Sequence, residues 1–236
     1  MFNKEVVIDL EFCETDFGTE ILEISWCLLG DTNIKTQRFS IRGNVDIASL
    51  SIHGIVPDKK DPLFLDWWEE NKEMFAKETI IAYGEEDLKV IRKNIKNKDS
   101  LDKVNYIDLY EQAVGFFDFR KETKKLIDKK LWSYRQAFIY TYIYNLSNKG
   151  DLSRFSLPNV HSSRSDVYMA SEIAKYIKEK NQGEFLSQDE CVFSYFPYGK
   201  YQGEKIGYID SDELYWIYTH WTNMSSILER TLMQYI

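Results

Sequence analysis

Three acidic blocks stand far apart along the chain, and their residue types suggest one chemistry. Asp9-Leu10-Glu11 closes an apolar run, Asp87 ends Ala82-Tyr83-Gly84-Glu85-Glu86-Asp87, and Asp166 ends His161-Ser162-Ser163-Arg164-Ser165-Asp166. Carboxylate oxygens bind hard divalent cations, and a pair of such cations stabilises both the attacking and the leaving oxygen of a phosphodiester. An imidazole, with an ordinary pKa of about 6.5, is suited to taking a proton from water at neutral pH. Four carboxylates and one histidine are therefore the set that a two-cation phosphodiester hydrolase needs.

Each block also has a plainer reading. Asp9 and Glu11 would be acids at an ordinary strand end. Held about 4 Å apart, however, they would repel by on the order of 4 kcal/mol at an effective dielectric of 20, so something positive should sit between them. Asp87 would be one of several acids at a helix N-terminus, where negative charge is favoured in any case. His161 and Asp166 would be a surface histidine and a first-turn aspartate. His53 and Asp58 share their spacing, but they precede the second block, lie beside Pro57 and lead into no helix pattern. That pair is set aside as a catalytic one.

The elements that must carry these residues follow from hydrophobic periodicity. Glu5–Phe12, with Val6-Val7-Ile8 at its centre, reads as a buried strand, and alternation puts Asp9 and Glu11 on one face. Glu20–Leu29 and Ile34–Ile41 read as a second and a third strand, with Gly30-Asp31 as the hairpin signal between them. Leu63–Lys77 is expected to be helical, Thr79–Ala82 a short strand, Glu85–Asn94 a helix and Val104–Leu109 a strand. Lys121–Asn145 and Ser162–Lys180 read as further helices, the latter with Val167, Ala170, Ile173, Ala174 and Ile177 at helical spacing. Gly84 permits a sharp strand-to-helix turn just before Asp87. The expected fold class is α/β, a mixed five-stranded sheet flanked by helices.

Composition narrows the rest. The 236 residues are 44% hydrophobic and 15% aromatic, enough for a packed core rather than a disordered chain. A net charge of −8 argues against coating long duplexes, where affinity comes from neutralising many phosphates. It does not argue against acting on a strand end, where cations supply the positive charge. Cys13, Cys27 and Cys191 fit no zinc spacing and suggest a reducing compartment. No leader-like segment or apolar stretch of roughly 20 residues is seen, so a cytoplasmic location is expected. The Lys-rich pieces Arg92–Lys98 and Arg120–Lys130 read as solvated faces.

Taken together, in this order and on these elements, the blocks resemble the DEDDh 3′–5′ exonucleases, DnaQ-like enzymes of the ribonuclease H-like superfamily. The resemblance covers about residues 4–180. It implies that Asp9, Glu11, Asp87 and Asp166 hold two Mg²⁺ ions (or Mn²⁺), that His161 is the general base, and that nucleoside 5′-monophosphates leave a 3′ end. Ile52-His53-Gly54-Ile55 resembles the family's segment beside the terminal-nucleotide pocket, which would make His53 and Ile55 nucleic-acid contacts; loop packing is an equal reading for Ile52 and Ile55. Phe12 and Tyr83 are candidate contacts as well. The pattern departs from the family in three places. Phe12-Cys13 follows Glu11 where a small residue is usual, Val167 follows Asp166 where Ala is usual, and Tyr83-Gly84 stands nearer a W-G-x-x-D variant. The last of these leaves DNA or RNA open as the substrate.

A second piece follows Asn181-Gln182-Gly183-Glu184. Cys191–Phe196 and Lys205–Ile209 are expected to pair as a hairpin around Pro197-Tyr198-Gly199-Lys200-Tyr201-Gln202-Gly203. Helices are expected from Ser211 to Trp221 and within Asn223–Tyr235. Phe196–Gly203 resembles the M-P-F-G-K-Y-K-G signature of the small C-terminal domain of exodeoxyribonuclease X-like proteins. The expected organisation is thus an exonuclease domain over 1–182 and a small α+β domain over 190–236. Tyr198, Lys200 and Tyr201 are candidates for stacking on bases and holding a phosphate. The expected partner is single-stranded DNA or a 3′ end, with RNA as the competitor, and the exposed aromatics of the C-terminal piece are compatible with a homodimer. A non-catalytic nucleic-acid- or partner-binding protein on the same fold is the alternative from another class.

Overall fold

The computed structural model describes residues 4–76, 78–96, 101, 104–117, 134–159 and 161–236. Five strands form one mixed sheet in the order β3-β2-β1-β4-β5. β1 (Glu5–Thr15) and β2 (Gly18–Leu28) make a long antiparallel hairpin, and β3 (Lys35–Arg38) extends it on the outer side. β4 (Thr79–Ala82) and β5 (Asn105–Asp108) run parallel to β1. The expected mixed five-stranded sheet flanked by helices is the one observed.

α1 (Ile47–His53) and α2 (Phe64–Ala76) lie between β3 and β4, α3 (Glu86–Asn94) lies between β4 and β5, and α4 (Leu109–Phe116) follows β5. Later in the chain come α5 (Gln136–Ser147) and α6 (Ser163–Lys180). Strand alternation divides the labour of the sheet. Val6, Ile8, Leu10, Ile24 and Ile80 turn to one face and pack with Phe64, Trp68 and Phe75 of α2 and Leu88 and Ile91 of α3. Trp68 and Phe75 stack at 5.4 Å within that layer. The odd-numbered residues of β1, including Asp9 and Glu11, turn to the opposite face. Ser163 of α6 reaches Ser25 of β2 there.

The differences from expectation have local causes. β3 is shorter than Ile34–Ile41 because Phe39 turns into the core, fully buried, and meets Phe64 edge-on. α1 occupies a segment expected to be a loop; Asp46 caps its start by accepting from Ser49 N–H, and Gly54, at φ 67°, ends it. α4 lacked a polar stripe to announce it, since Leu109, Ala113 and Val114 are all buried. The Lys121–Asn145 expectation falls largely outside the described residues; Gln136–Ser147 is the part seen as helix.

By packing, the chain divides into two compact units, Met1–Leu109 with Arg135–Tyr176, and Tyr110–Tyr134 with Ile177–Ile236. The second unit is built on helices. Val114, Phe193, Phe196, Ile206, Leu214, Ile217, Leu228 and Leu232 form its core. α7 (Ser211–His220) is capped by Asp210, and α8 (Ser226–Leu232) by Ser225. The expected hairpin reduces to one bridge, Tyr195 with Lys205, flanked by 3-10 turns at Gly199–Tyr201 and Ile206–Tyr208. The cause lies in the helical core. Phe193, Phe196 and Ile206 are drawn into it, and Phe193 N–H donates to the Thr231 hydroxyl at 2.9 Å instead of to a strand partner.

No described helix is long and apolar enough to cross a membrane. Cys13, Cys27 and Cys191 are buried, and none of them is in a disulfide.

Candidate metal centre and active site

β1 outruns its parallel partner: the β1–β4 ladder ends at Val7 opposite Ile81. Beyond that point the backbone of β1 is open on one side, and the chain from β4 turns away through Gly84, at φ 98°, into α3. Gly84 N–H donates to Asp108 Oδ1 at 3.0 Å, and the Tyr106 hydroxyl donates to Gly84 O, so the turn is held from β5. Asp87, in the first turn of α3, is thereby brought back to β1, where its carboxylate accepts the N–H of Leu10.

Asp166 arrives from α6. His161 precedes the helix in the left-handed region, at φ 62°, and Ser162 O accepts from the N–H groups of Ser165 and Asp166. Gln136 of α5 donates to Asp166 O at 2.5 Å and ties the two helices together. The outcome is that Asp9, Glu11 and Asp166 present ligand atoms all within 4.8 Å of one another. Asp87 stands outside that triad but close enough for its charge to act on Asp9.

Electrostatics report the strain of this gathering. Burial, then the charges of Asp87, Asp166, Glu11 and Glu23, push the Asp9 carboxyl well above the usual range. Burial, then Asp166 and Glu23, raise Glu11 to about 7. Burial raises Asp166 to about 6, an effect opposed by the charge and backbone N–H of His161. Asp87 is raised by burial and by Glu11 and Asp166, with Leu10 N–H opposing. Acids that repel one another in a partly buried cleft are short of positive charge. The triad offers hard oxygen donors only, with neither thiolate nor imidazole, which fits Mg²⁺, Mn²⁺ or Ca²⁺ in preference to a softer metal.

The remaining candidates fall into four groups. His161 is exposed at the mouth of α6, beside Asp166. Phe12 and Tyr83 are half-buried, Phe12 packing on the main core. His53 accepts Ile55 N–H at Nδ1, 3.0 Å away, which puts the proton of the neutral ring on Nε2. That Nε2 is buried with no hydrogen-bond partner, and burial lowers the ring's pKa against the pull of Asp46 and Glu23. Ile55 is buried against Cys13 and Leu22, the packing role weighed for it, while Ile52 is exposed. Tyr198, Lys200 and Tyr201 belong to the second unit. Tyr198 meets the Trp221 ring at 5.1 Å, and Lys200 Nζ lies 4.7 Å from the Tyr201 ring centre and 3.4 Å from Glu213 Oε1.

Sequence reading missed a fifth acid at the cluster, Glu23. It is buried, faces Glu11 across the β1–β2 ladder, and binds Arg38 and Ser163. The available signal was a carboxylate in the middle of the otherwise apolar run Ile21-Leu22-Glu23-Ile24.

No family profile matches the chain, and no curated protein does. Solved structures do resemble it. The nuclease domain of 3′hExo, described as a DEDDh family member bound to rAMP, superposes with a TM-score of 0.53 over 79% of this chain and 97% of that one, at 12% identity. A full-length 3′-exonuclease gives 0.52 over 85% and 95%, also at 12% identity. A 3′-exonuclease in 3′-end-specific recognition of a histone mRNA stem-loop gives 0.50 over 78% and 84%, at 13% identity. At such identities the likeness is one of fold. The chain has the ribonuclease H-like architecture found in DEDDh 3′-exonucleases.

Proposed function

We propose that the protein is a metal-dependent 3′–5′ exonuclease that releases nucleoside 5′-monophosphates from DNA 3′ ends. The observation that carries this reading is the convergence of Asp9, Glu11 and Asp166 within 4.8 Å, with Asp87 coupled to them and His161 beside Asp166.

Asp9, Glu11 and Asp166 would hold the cations, with Asp87 completing the set for two Mg²⁺ or Mn²⁺ ions. Held there, divalent cations would supply Lewis acidity toward the attacking water and the leaving 3′ oxygen. The chain's own residues do the rest. His161, exposed at the start of α6, takes the proton of the water. The His53 Nε2–H is a donor for an oxygen of the terminal nucleotide. Half-buried Phe12 and Tyr83 offer ring surface to a base. In the second unit, Tyr198, Lys200 and Tyr201 would contact the strand, although Lys200 must first leave Glu213.

RNA is the second reading. It is favoured by the Tyr83-Gly84 block and by the ribonucleotide and RNA ligands named for two of the solved neighbours. Labelled single-stranded DNA and RNA, each digested with Mg²⁺ beside an Asp9→Ala control, decide between the two. Nucleotide release from 3′ ends by the wild type alone is expected. No release from either substrate would leave the non-catalytic binding protein, and equal release by Asp9→Ala would remove the acid cluster as the site of hydrolysis.

A further inference from the structure

The strand register lays two polar rows across one face of the sheet. Asp9, Ser25 and Thr36 stand in line, and Glu11, Glu23 and Arg38 stand in the next. Residues paired directly across a ladder share a face, so all six turn toward the side on which α6 lies. We infer that Glu23 is the positioning residue of the site: through Ser163 it braces the first turn of α6, so that Asp166 meets Asp9 and Glu11. The inference rests on the acid cluster being a cation site.

The connections run both ways from Glu23. Ser163 Oγ donates to Glu23 Oε1 at 2.5 Å, and Arg38 Nε donates to Glu23 Oε2 at 2.9 Å. Glu23 is not in the group whose ligand atoms converge, Asp9, Glu11 and Asp166, so it supports the cluster from beside it. Ser163 has one hydroxyl hydrogen, and the carboxylate claims it. Ser25, 2.6 Å away, must therefore donate to Ser163, and Thr36, 2.8 Å from Ser25, must donate to Ser25. Three hydroxyls thus point their hydrogens one way, toward Glu23, and such chains polarise cooperatively.

Ser163 and Ser25 have no exposed surface, and Glu23 is 5% exposed. A buried network of this kind holds one geometry. Ser163 precedes Asp166 by three residues, close to one helical turn, so the tether acts on the same turn that carries the ligand. The arrangement has a cost, because Glu23 adds a fifth acid opposite Glu11. Arg38 offsets that charge from the outer strand, which explains why the pair is built together. Groups that hold a ligand in this way typically change metal affinity 10- to 100-fold when lost.

The test is calorimetric titration of the full-length protein with MnCl₂, well below the melting temperature of every variant. Ser163→Ala and Glu23→Ala should each weaken Mn²⁺ binding by roughly 10-fold. The double variant should be no worse than either alone, since both cut one link. Glu23→Gln keeps an acceptor for the Ser163 hydroxyl and should stay within a few-fold of wild type. Wild-type Mn²⁺ affinity in the two alanine variants, with only a lowered melting temperature, would overturn the inference. So would a Glu23→Gln loss equal to that of Glu23→Ala, which would assign the effect to charge instead of bracing. A wild type that takes up no Mn²⁺ would remove the cation site itself, and the inference with it.

Discussion

Glu11 on β1 and Glu23 on β2 stand directly opposite each other across the antiparallel ladder, and both are buried. The register slips just after this pair, where Phe12 aligns with Ile21 and leaves Leu22 as the extra residue of a β-bulge. Bulges re-aim side chains and sharpen strand twist. Here the bulge lies at the acid cluster, so the odd-numbered face of β1 presents Asp9 and Glu11 together before the strand twists away.

Removing one charge from the cluster should relieve repulsion in the cation-free protein. Asp9→Asn is expected to raise its melting temperature by about 2–4 °C, equivalent to roughly 1 kcal/mol for a chain of this size, while abolishing Mn²⁺ binding and hydrolysis. Scanning calorimetry with and without Mn²⁺ checks both halves. A lower melting temperature without cation would show that the acids are not under mutual strain.

The same repulsion sets a pH dependence. Glu11 titrates near pH 7 and Asp166 near pH 6 in the folded, cation-free protein, and unfolding returns them to about 4.3 and 3.9. Between those values the folded chain binds more protons than the unfolded one, so these two groups make stability fall as pH rises from about 4 to 7. Glu20, held below its ordinary range by Arg42, Thr15 and Gly43 despite burial, contributes with the opposite sign. Cations compete with the protons on Glu11 and Asp166. The rise in melting temperature on adding Mg²⁺ should therefore be larger at pH 8 than at pH 5, and an increment independent of pH would count against the cluster as the binding site.

His161→Asn tests the proposed base separately from the acid ligands. Asparagine tolerates the left-handed backbone that His161 adopts, so the turn into α6 survives and only the imidazole is lost. The expected result is a fall in kcat of roughly a hundred- to ten-thousand-fold, with Mn²⁺ affinity retained. Near-normal turnover would assign the proton to another group.

Gly115 tests the second unit. A Cβ there would lie 2.6 Å from Glu190 O and 2.8 Å from Cys191 Cα, both of them backbone atoms that cannot rotate aside. Gly115→Ala should cost about 1–3 kcal/mol by overpacking. Urea unfolding followed by the fluorescence of Trp216 and Trp221 measures it, and an unchanged midpoint would mean that the 190–191 segment gives way freely.

Much of this protein is legible in one dimension, because the interactions that decide it are local. Alternation in Val6-Val7-Ile8-Asp9-Leu10-Glu11 assigns the strand and puts both acids on one face. Gly84 announces the turn before Asp87, and the helical spacing from Val167 to Ile177 announces the helix behind Asp166. The residue types of the cluster already suggest a site for divalent cations. Three-dimensional packing decided what depends on partners distant in sequence. Glu23 reads as a stray acid until register sets it against Glu11 and brings Arg38 and Ser163 to it, across 15 and 140 residues. Cys191–Phe196 and Lys205–Ile209 look like a hairpin until a helical core claims Phe193, Phe196 and Ile206. Hydrophobic period and turn chemistry are written residue by residue, whereas strand register and the satisfaction of buried polar groups exist only once separate segments meet.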